Sequence, residues 1–139
     1  MWIIKTTILL VLLLYASAKD IKTREVPDSV SVMLLILGLV DTDIARLPSM
    51  LFGMFLVFIP QFISALINPS KALGGADIKL SSAAAFLLGA QMGLFALIIG
   101  LTLTVIVMPI IRRIRKLPKD QPFPLIPFLS IGIVVGYFI

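Results

Sequence analysis

The chain has 139 residues, of which 60% are apolar and only 14% are charged, and its formal net charge is +5. Its mean hydropathy is +1.14, so the composition excludes an ordinary soluble domain and predicts a membrane protein. The lack of Cys and His excludes disulfides, thiolate metal sites, Ser-His-Asp and Cys-His triads and the HExxH zinc site. Acid and base chemistry must use the seven carboxylates, Asp20, Glu25, Asp28, Asp41, Asp43, Asp77 and Asp120.

The uncharged stretches predict the membrane spans. A bilayer core is ~30 Å thick and needs about 20 helical residues. Residues 47–70 fit one crossing, whereas the uncharged residues 80–111 would form a helix of about 48 Å, which is too long. Gly89, Gln91 and Gly93 provide a turn within that stretch. The sequence therefore predicts an all-helical, polytopic membrane protein, one membrane-embedded domain over residues 1–139, with about six transmembrane helices at residues 2–18, 27–40, 47–67, 77–89, 91–111 and 123–139.

The basic residues orient this six-span arrangement. Lys and Arg concentrate in cytoplasmic loops, and ten of the twelve basic residues fall on one side of the predicted spans, with only Lys5 and Arg46 on the other. A single span over residues 80–111 would place the last basic cluster, which begins at Arg112, opposite the others. We therefore expect a plasma (inner) membrane protein with its amino terminus outside. We expect no nucleic-acid partner, because orientation in the lipid bilayer accounts for the dispersed charge.

Residues 1–18 have an alternative interpretation as a cleaved signal peptide. Lys5, an apolar stretch and the small residues Ala16 and Ala18 fit the pattern that a signal peptidase accepts. The basic residues that follow immediately, beginning with Lys19, resist export of that flank and favour a retained span.

Asp20 and Asp77 differ from the other carboxylates because each adjoins an apolar segment. In the six-span arrangement both lie at the cytoplasmic face, Asp20 at the end of the first span and Asp77 at the start of the fourth. Two carboxyl groups that converge tend to share one proton, so that one acts as a base and the other as an acid. Such a pair can activate a water for peptide hydrolysis without His, Cys or a metal ion.

Each feature of this candidate site also has an alternative interpretation. Asp20 can act as a cap or pair locally with Lys22 or Arg24. Asp77 can simply begin a helix, where negative charge suits the helix dipole. The small residues before Asp77 either form a plain turn or let a substrate backbone approach closely. A different class of function is a small ion or solute transporter, in which the two carboxylates bind a cation or relay protons. Transport sites usually lie near the middle of the bilayer, which disfavours this alternative.

Three stretches of the chain resemble the motifs of type IV prepilin peptidases, a family of aspartic membrane proteases. Residues 20–28, Asp-Ile-Lys-Thr-Arg-Glu-Val-Pro-Asp, resemble the family's Asp-x-x-Thr-Arg-x-Ile-Pro-Asn stretch. Residues 74–80, Gly-Gly-Ala-Asp-Ile-Lys-Leu, resemble its Gly-x-Gly-Asp-x-Lys-Leu motif. Residues 124–132 resemble its Pro-x-x-Pro-Phe-Leu-x-x-Gly pattern. The three stretches occur in the family's order and extend over nearly the whole chain.

The resemblance implies a cofactor-free endopeptidase that acts at the cytoplasmic face on the basic leader of a prepilin or pseudopilin. It implies that the cut falls just after a Gly and ahead of a hydrophobic helix. It implies that Asp20 and Asp77 are the catalytic pair. The surrounding motif residues, which would shape the site or contact the substrate, are Arg24, Pro27, Gly74, Gly75, Ala76 and Lys79. Bifunctional members of the family carry a further methyltransferase region with paired Cys motifs. We therefore expect no methyl transfer from this Cys-free chain.

Three positions bear on this interpretation. Ala76 stands where the motif often has its second Gly, and alanine lacks glycine's easy access to positive φ. Lys79 either steadies Asp77, binds a headgroup or the substrate, or snorkels to the interface. Gln61 either forms a hydrogen bond to another helix, which we favour, or faces a polar cavity. A non-catalytic partner in pilus or secretion assembly is the remaining alternative.

Overall fold

A computed structural model describes residues 2–23, 26–40, 42–68, 75–116 and 126–139, with the backbone alone for residues 75 and 76. All regular structure in these ranges is helical, as predicted, and each of the six predicted segments overlaps one α-helix. A short 3₁₀ helix, Ile44–Arg46, precedes the third of them. The helices are α1 (Trp2–Thr23), α2 (Asp28–Leu39), α3 (Leu47–Ile67), α4 (Gly75–Leu88), α5 (Ala90–Arg115) and α6 (Ile126–Phe138).

The long apolar stretch 80–111 is divided at Gly89, as the sequence predicts. Gly89 has φ +92°, a conformation that residues with a Cβ rarely adopt, and α4 ends just before it while α5 begins just after it. Gln91 and Gly93, the other two residues of the predicted turn, lie inside α5. A Cβ at Gly93 would lie 2.7 Å from the Cα of Ala85, so this glycine permits close packing of α5 on α4.

Helix α4 is the centre of the bundle. Every residue from Leu80 to Leu87 is buried, and α4 contacts α2, α3, α5 and α6. Small side chains permit this crowding, since the segment contains Ser81, Ser82 and three consecutive alanines. The remaining helix, α1, lies against α2 and α6.

Contacts between the helices define two ends of the bundle. At the first, which we call the Asp20 end, Asp20 of α1 meets the first residue of α6, and Asp28 of α2 meets Lys79 of α4. At the opposite end, which we call the Lys5 end, the Lys5 ammonium donates a 3.0 Å hydrogen bond to the carbonyl of Val40. Helices α2, α4 and α6 therefore all begin at the Asp20 end, and α1, α3 and α5 run in the opposite direction.

Three helical segments are long and apolar enough to cross a membrane, namely Trp2–Thr23, Ile44–Ile67 and Ala90–Arg115. Many apolar side chains on them point outward, for example Ile3 with 71% exposure and Val105 with 72%, as expected when lipid is the solvent. Helices α2, α4 and α6 have 12, 14 and 13 residues. At 1.5 Å per residue they extend only about 18 to 21 Å, so crossing by all six helices stays a prediction.

Candidate active site

Asp20 lies near the end of α1 and is buried, with 7% of its surface exposed. The backbone N–H of Ile126 donates a hydrogen bond of 3.1 Å to its Oδ2 atom. An N–H in the first turn of a helix has no partner within that helix, so the carboxylate of α1 satisfies a donor at the start of α6. Helix α1 continues for three residues beyond Asp20, to Thr23.

Two further contacts fix the register of α1 against α6. The hydroxyl groups of Ser17 and Ser130 are 3.0 Å apart, and those of Thr6 and Tyr137 are 3.1 Å apart. The residues that pair therefore advance along α1 as they retreat along α6, which is the pattern of antiparallel helices. This register brings Asp20 to the first residue of α6.

Asp77 lies in the first turn of α4 and is partly buried. A carboxylate there is favoured by the positive end of the helix dipole. Gly75 and Ala76 belong to the same first turn. Since helical residues have negative φ, the alanine at residue 76 forgoes no backbone conformation that a glycine would supply there. Gly74 and Arg24, which the resemblance includes in the site, lie outside the described residues.

Asp20 and Asp77 lie at the same end of the bundle but on helices that are not neighbours. Helices α1 and α4, over the residues described, have no pair of Cα atoms within 8 Å, and α6 and α2 each contact both of them. The two carboxylates thus belong to the same end of the bundle, on helices whose described Cα atoms are not within 8 Å of each other. Direct cooperation between them stays a prediction.

Lys79 pairs with Asp28, a partner that the sequence analysis did not consider. The Lys79 Nζ and Asp28 Oδ1 atoms are 3.0 Å apart, and the two side chains are 54% and 72% exposed. The pair joins the first residue of α2 to the fifth residue of α4, two residues after Asp77. Opposite charges at the starts of two spans on the same predicted face were the available sequence signal.

Pro27 precedes α2 and determines where it begins. Its φ of −60° and ψ of 142° are extended, and its carbonyl accepts a 3.2 Å hydrogen bond from the N–H of Val30. A proline suits this place because its ring fixes φ and it has no N–H to satisfy. Pro27 thus places Asp28, and with it the ion pair to Lys79, at the Asp20 end.

The predicted hydrogen bond from Gln61 to another helix is confirmed. The Ser81 hydroxyl of α4 lies 3.2 Å from Gln61 Oε1 of α3. Gln61 Nε2 is buried and has no hydrogen-bond partner within the part of the chain that the structure describes. The contact places the second half of α3 beside the first half of α4.

A groove of about 420 Å³ lies between α2, α3 and α4. Asp28 and Lys79 line it near the starts of α2 and α4. Ser31 and Ser82 add hydroxyl groups. The rest of its lining is apolar, from Val32, Leu35, Met54, Phe55, Phe58 and Ala83. The groove thus joins an ion pair at the Asp20 end to an apolar channel along the bundle.

The chain resembles one known family of membrane proteins. The model of the type IV leader peptidase family matches residues 7–110, a range that contains both Asp20 and Asp77. A search of curated proteins found no match, and a search of solved structures found none either. Within the described residues there is no group of three or more acidic side chains arranged to hold a metal ion.

Proposed function

The chain belongs to the type IV leader peptidase family, and we propose that it is an aspartic endopeptidase of the plasma (inner) membrane that cleaves the leader of a prepilin or pseudopilin. The active site faces the cytoplasm, where the concentration of basic residues orients the Asp20 end. Asp20 and Asp77 are its catalytic residues.

The proposed reaction needs two carboxyl groups with one proton between them. The carboxylate of Asp20 takes a proton from a water, whose oxygen attacks the carbonyl carbon of the scissile peptide bond. The protonated carboxyl of Asp77 donates to the carbonyl oxygen. When the tetrahedral intermediate collapses, the proton taken up by Asp20 passes to the departing nitrogen, and the bond between carbon and nitrogen breaks. One hydroxyl of the intermediate returns its proton to Asp77 as the new carboxyl group forms, which restores the starting state of the pair.

The contact between Asp20 and Ile126 supports Asp20 as the base. A backbone N–H can only donate, and a donor at 3.1 Å stabilises a carboxylate more than a neutral acid. If Asp20 is the ionised member of a pair that shares one proton, Asp77 is the member that holds that proton.

The groove between α2, α3 and α4 supports a site for the apolar segment of the substrate. The resemblance places the cleaved bond just before a hydrophobic helix, and side chains of such a helix match the apolar lining of Val32, Leu35 and Phe58. The ion pair of Asp28 and Lys79 lies where the groove meets the Asp20 end. A substrate helix bound in this groove has its first residues close to the first turn of α4, which carries Asp77.

The single observation that carries this proposal is the buried carboxylate of Asp20, which accepts a hydrogen bond from the first residue of α6. Coexpression of the chain with a candidate prepilin tests it, with the size of the pilin as readout. Wild type and an Asp43→Asn control should shorten the pilin, since Asp43 is exposed and lies near the Lys5 end. Asp20→Asn and Asp77→Asn should leave it uncut while the proteins remain in the membrane fraction. Shortened pilin in either variant would refute the assignment.

A further inference from the structure

A second cavity, of about 410 Å³, lies at the Lys5 end of the bundle. Five elements meet there, the first turns of α1 and α5, the 3₁₀ helix and the last turns of α4 and α6. Its lining includes Trp2, Lys5, Arg46, Met92 and Tyr137. The cavity is thus separated from the candidate active site by the length of the bundle.

The two cations of this cavity are the two that the charge pattern sets apart. Lys5 and Arg46 are the basic residues assigned to the side opposite the other ten, and the fold brings both to one cavity although they are distant in sequence. The Lys5 ammonium is oriented by its hydrogen bond to the Val40 carbonyl. Arg46 is held in the 3₁₀ helix, where its N–H donates to the Asp43 carbonyl at 3.0 Å.

The other residues of the cavity suit the boundary between lipid and water. Trp2 is 61% exposed, and Trp and Tyr side chains prefer the depth of the headgroups. The Tyr137 hydroxyl is positioned by that of Thr6, 3.1 Å away. Leu87 and Met92 supply an apolar part of the wall. The cavity therefore combines two cations and one tyrosine hydroxyl group with an apolar surface.

We propose that this cavity binds the phosphate of a phospholipid headgroup in the leaflet at the Lys5 end. Arg46 and Lys5 contact the phosphate oxygens, for which a guanidinium is well suited because it offers paired donors. The apolar wall receives the start of an acyl chain. The proposal concerns a different site from the peptidase proposal and does not require that the chain be a protease.

Native mass spectrometry of the full chain, purified and stripped of lipid in detergent, tests this site. Phosphatidylglycerol is the probe, and the matching diacylglycerol, which lacks the phosphate, is the comparison. Wild type should retain one phosphatidylglycerol molecule in preference to diacylglycerol. Arg46→Gln should bind it about tenfold more weakly, as expected for loss of a charged hydrogen bond. Arg115→Gln, at an exposed position of the Asp20 end, should bind as wild type does.

Three results would overturn the proposal. One is equal retention of phosphatidylglycerol by wild type and Arg46→Gln, both with unchanged thermal unfolding. A second is equal retention of the phospholipid and diacylglycerol by wild type. The third is binding of inorganic phosphate at the same concentrations as the lipid, which would identify a free anion as the ligand. If Arg46→Gln does not fold, Arg46→Lys, which keeps the charge, replaces it and is compared with Lys5→Gln. Arg46→Lys should bind phosphatidylglycerol more tightly than Lys5→Gln does. The reverse order would overturn the assignment.

Discussion

The carboxylate of Asp20 accepts a 3.1 Å hydrogen bond from the backbone N–H of Ile126, so the end of α1 and the start of α6 share one buried polar contact. Buried polar groups that lose their partner cost about 1 to 3 kcal/mol. Asp20 therefore stabilises the contact between α1 and α6 in addition to its proposed catalytic role. Asn is the appropriate substitution for testing catalysis, because its side-chain carbonyl can still accept the bond.

The ion pair between Asp28 and Lys79 is expected to position α4 rather than to stabilise the fold. An exposed pair contributes only about 0 to 1 kcal/mol, so Asp28→Lys and Lys79→Asp should each change thermal unfolding little. Each should slow leader cleavage several-fold, because the first turn of α4 carries Asp77. The doubly exchanged protein, Asp28→Lys with Lys79→Asp, should recover most of the rate. Recovery would fail if Lys79 instead contacts the substrate directly.

The groove between α2, α3 and α4 is expected to determine substrate affinity. Val32 lines the groove and the neighbouring Met33 does not. Both side chains are 51% exposed, so Met33 is a matched control. Val32→Trp should fill part of the groove and raise KM for a prepilin several-fold with little change in kcat. Met33→Trp should leave both constants near their wild-type values. Equal effects of the two substitutions in steady-state assays would argue against substrate binding in the groove.

The six-span arrangement can be tested by cysteine labelling, because the natural sequence contains no Cys. Single cysteines are placed at three exposed positions, Ser29, Ala45 and Ile114. If all six helices cross, a membrane-impermeant thiol reagent should reach Ala45→Cys from the opposite side to Ser29→Cys and Ile114→Cys. If only the three long segments cross, all three cysteines should react from the same side.

Gly93 is expected to be needed for packing. Alanine at this position would bring a Cβ within 2.7 Å of Ala85, while at Gly136 the nearest atoms are 3.3 Å away. Both substitutions gain the helix propensity of alanine, so their difference reports the packing cost. Gly93→Ala should lower the free energy of unfolding by about 1 to 3 kcal/mol, and Gly136→Ala by less. Equal thermal unfolding of the two variants would contradict the tight contact between α4 and α5.

The positions of the helices could be predicted from the sequence because charge and chain length determine them locally. The interruption at Gly89 could be predicted because residues 80–111 are too long for one crossing. A single crossing would also place the basic cluster that begins at Arg112 opposite the other basic residues. The outer bounds differ by a few residues, since α1 continues to Thr23 and α5 to Arg115. Polar residues extend a helix past the hydrocarbon at little cost, so hydropathy does not define where such a helix ends.

Contacts between helices could not be predicted in the same way. In lipid the outward face of a helix is as apolar as the inward one, so the sequence does not show that α4 is the helix that other helices surround. The ion pair of Asp28 with Lys79 depends on helix rotation and on contacts distant along the chain. The presence of Lys5 and Arg46 in one cavity depends on the same two factors. Asp20 and Asp77 could be selected because a carboxylate beside an apolar segment is costly and therefore uncommon.

The rate of leader cleavage by the purified protein tests most directly whether Asp20 and Asp77 act as one catalytic pair. A prepilin peptide is incubated with the wild type, Asp20→Asn, Asp77→Asn, the double variant and Asp43→Asn, and product is measured by mass spectrometry. Each single catalytic variant should be slower by about 10² to 10⁴-fold, the double variant should be no slower than the worse single variant, and Asp43→Asn should match wild type. A folded Asp20→Asn or Asp77→Asn protein that cleaves within a few-fold of the wild-type rate would contradict the paired mechanism.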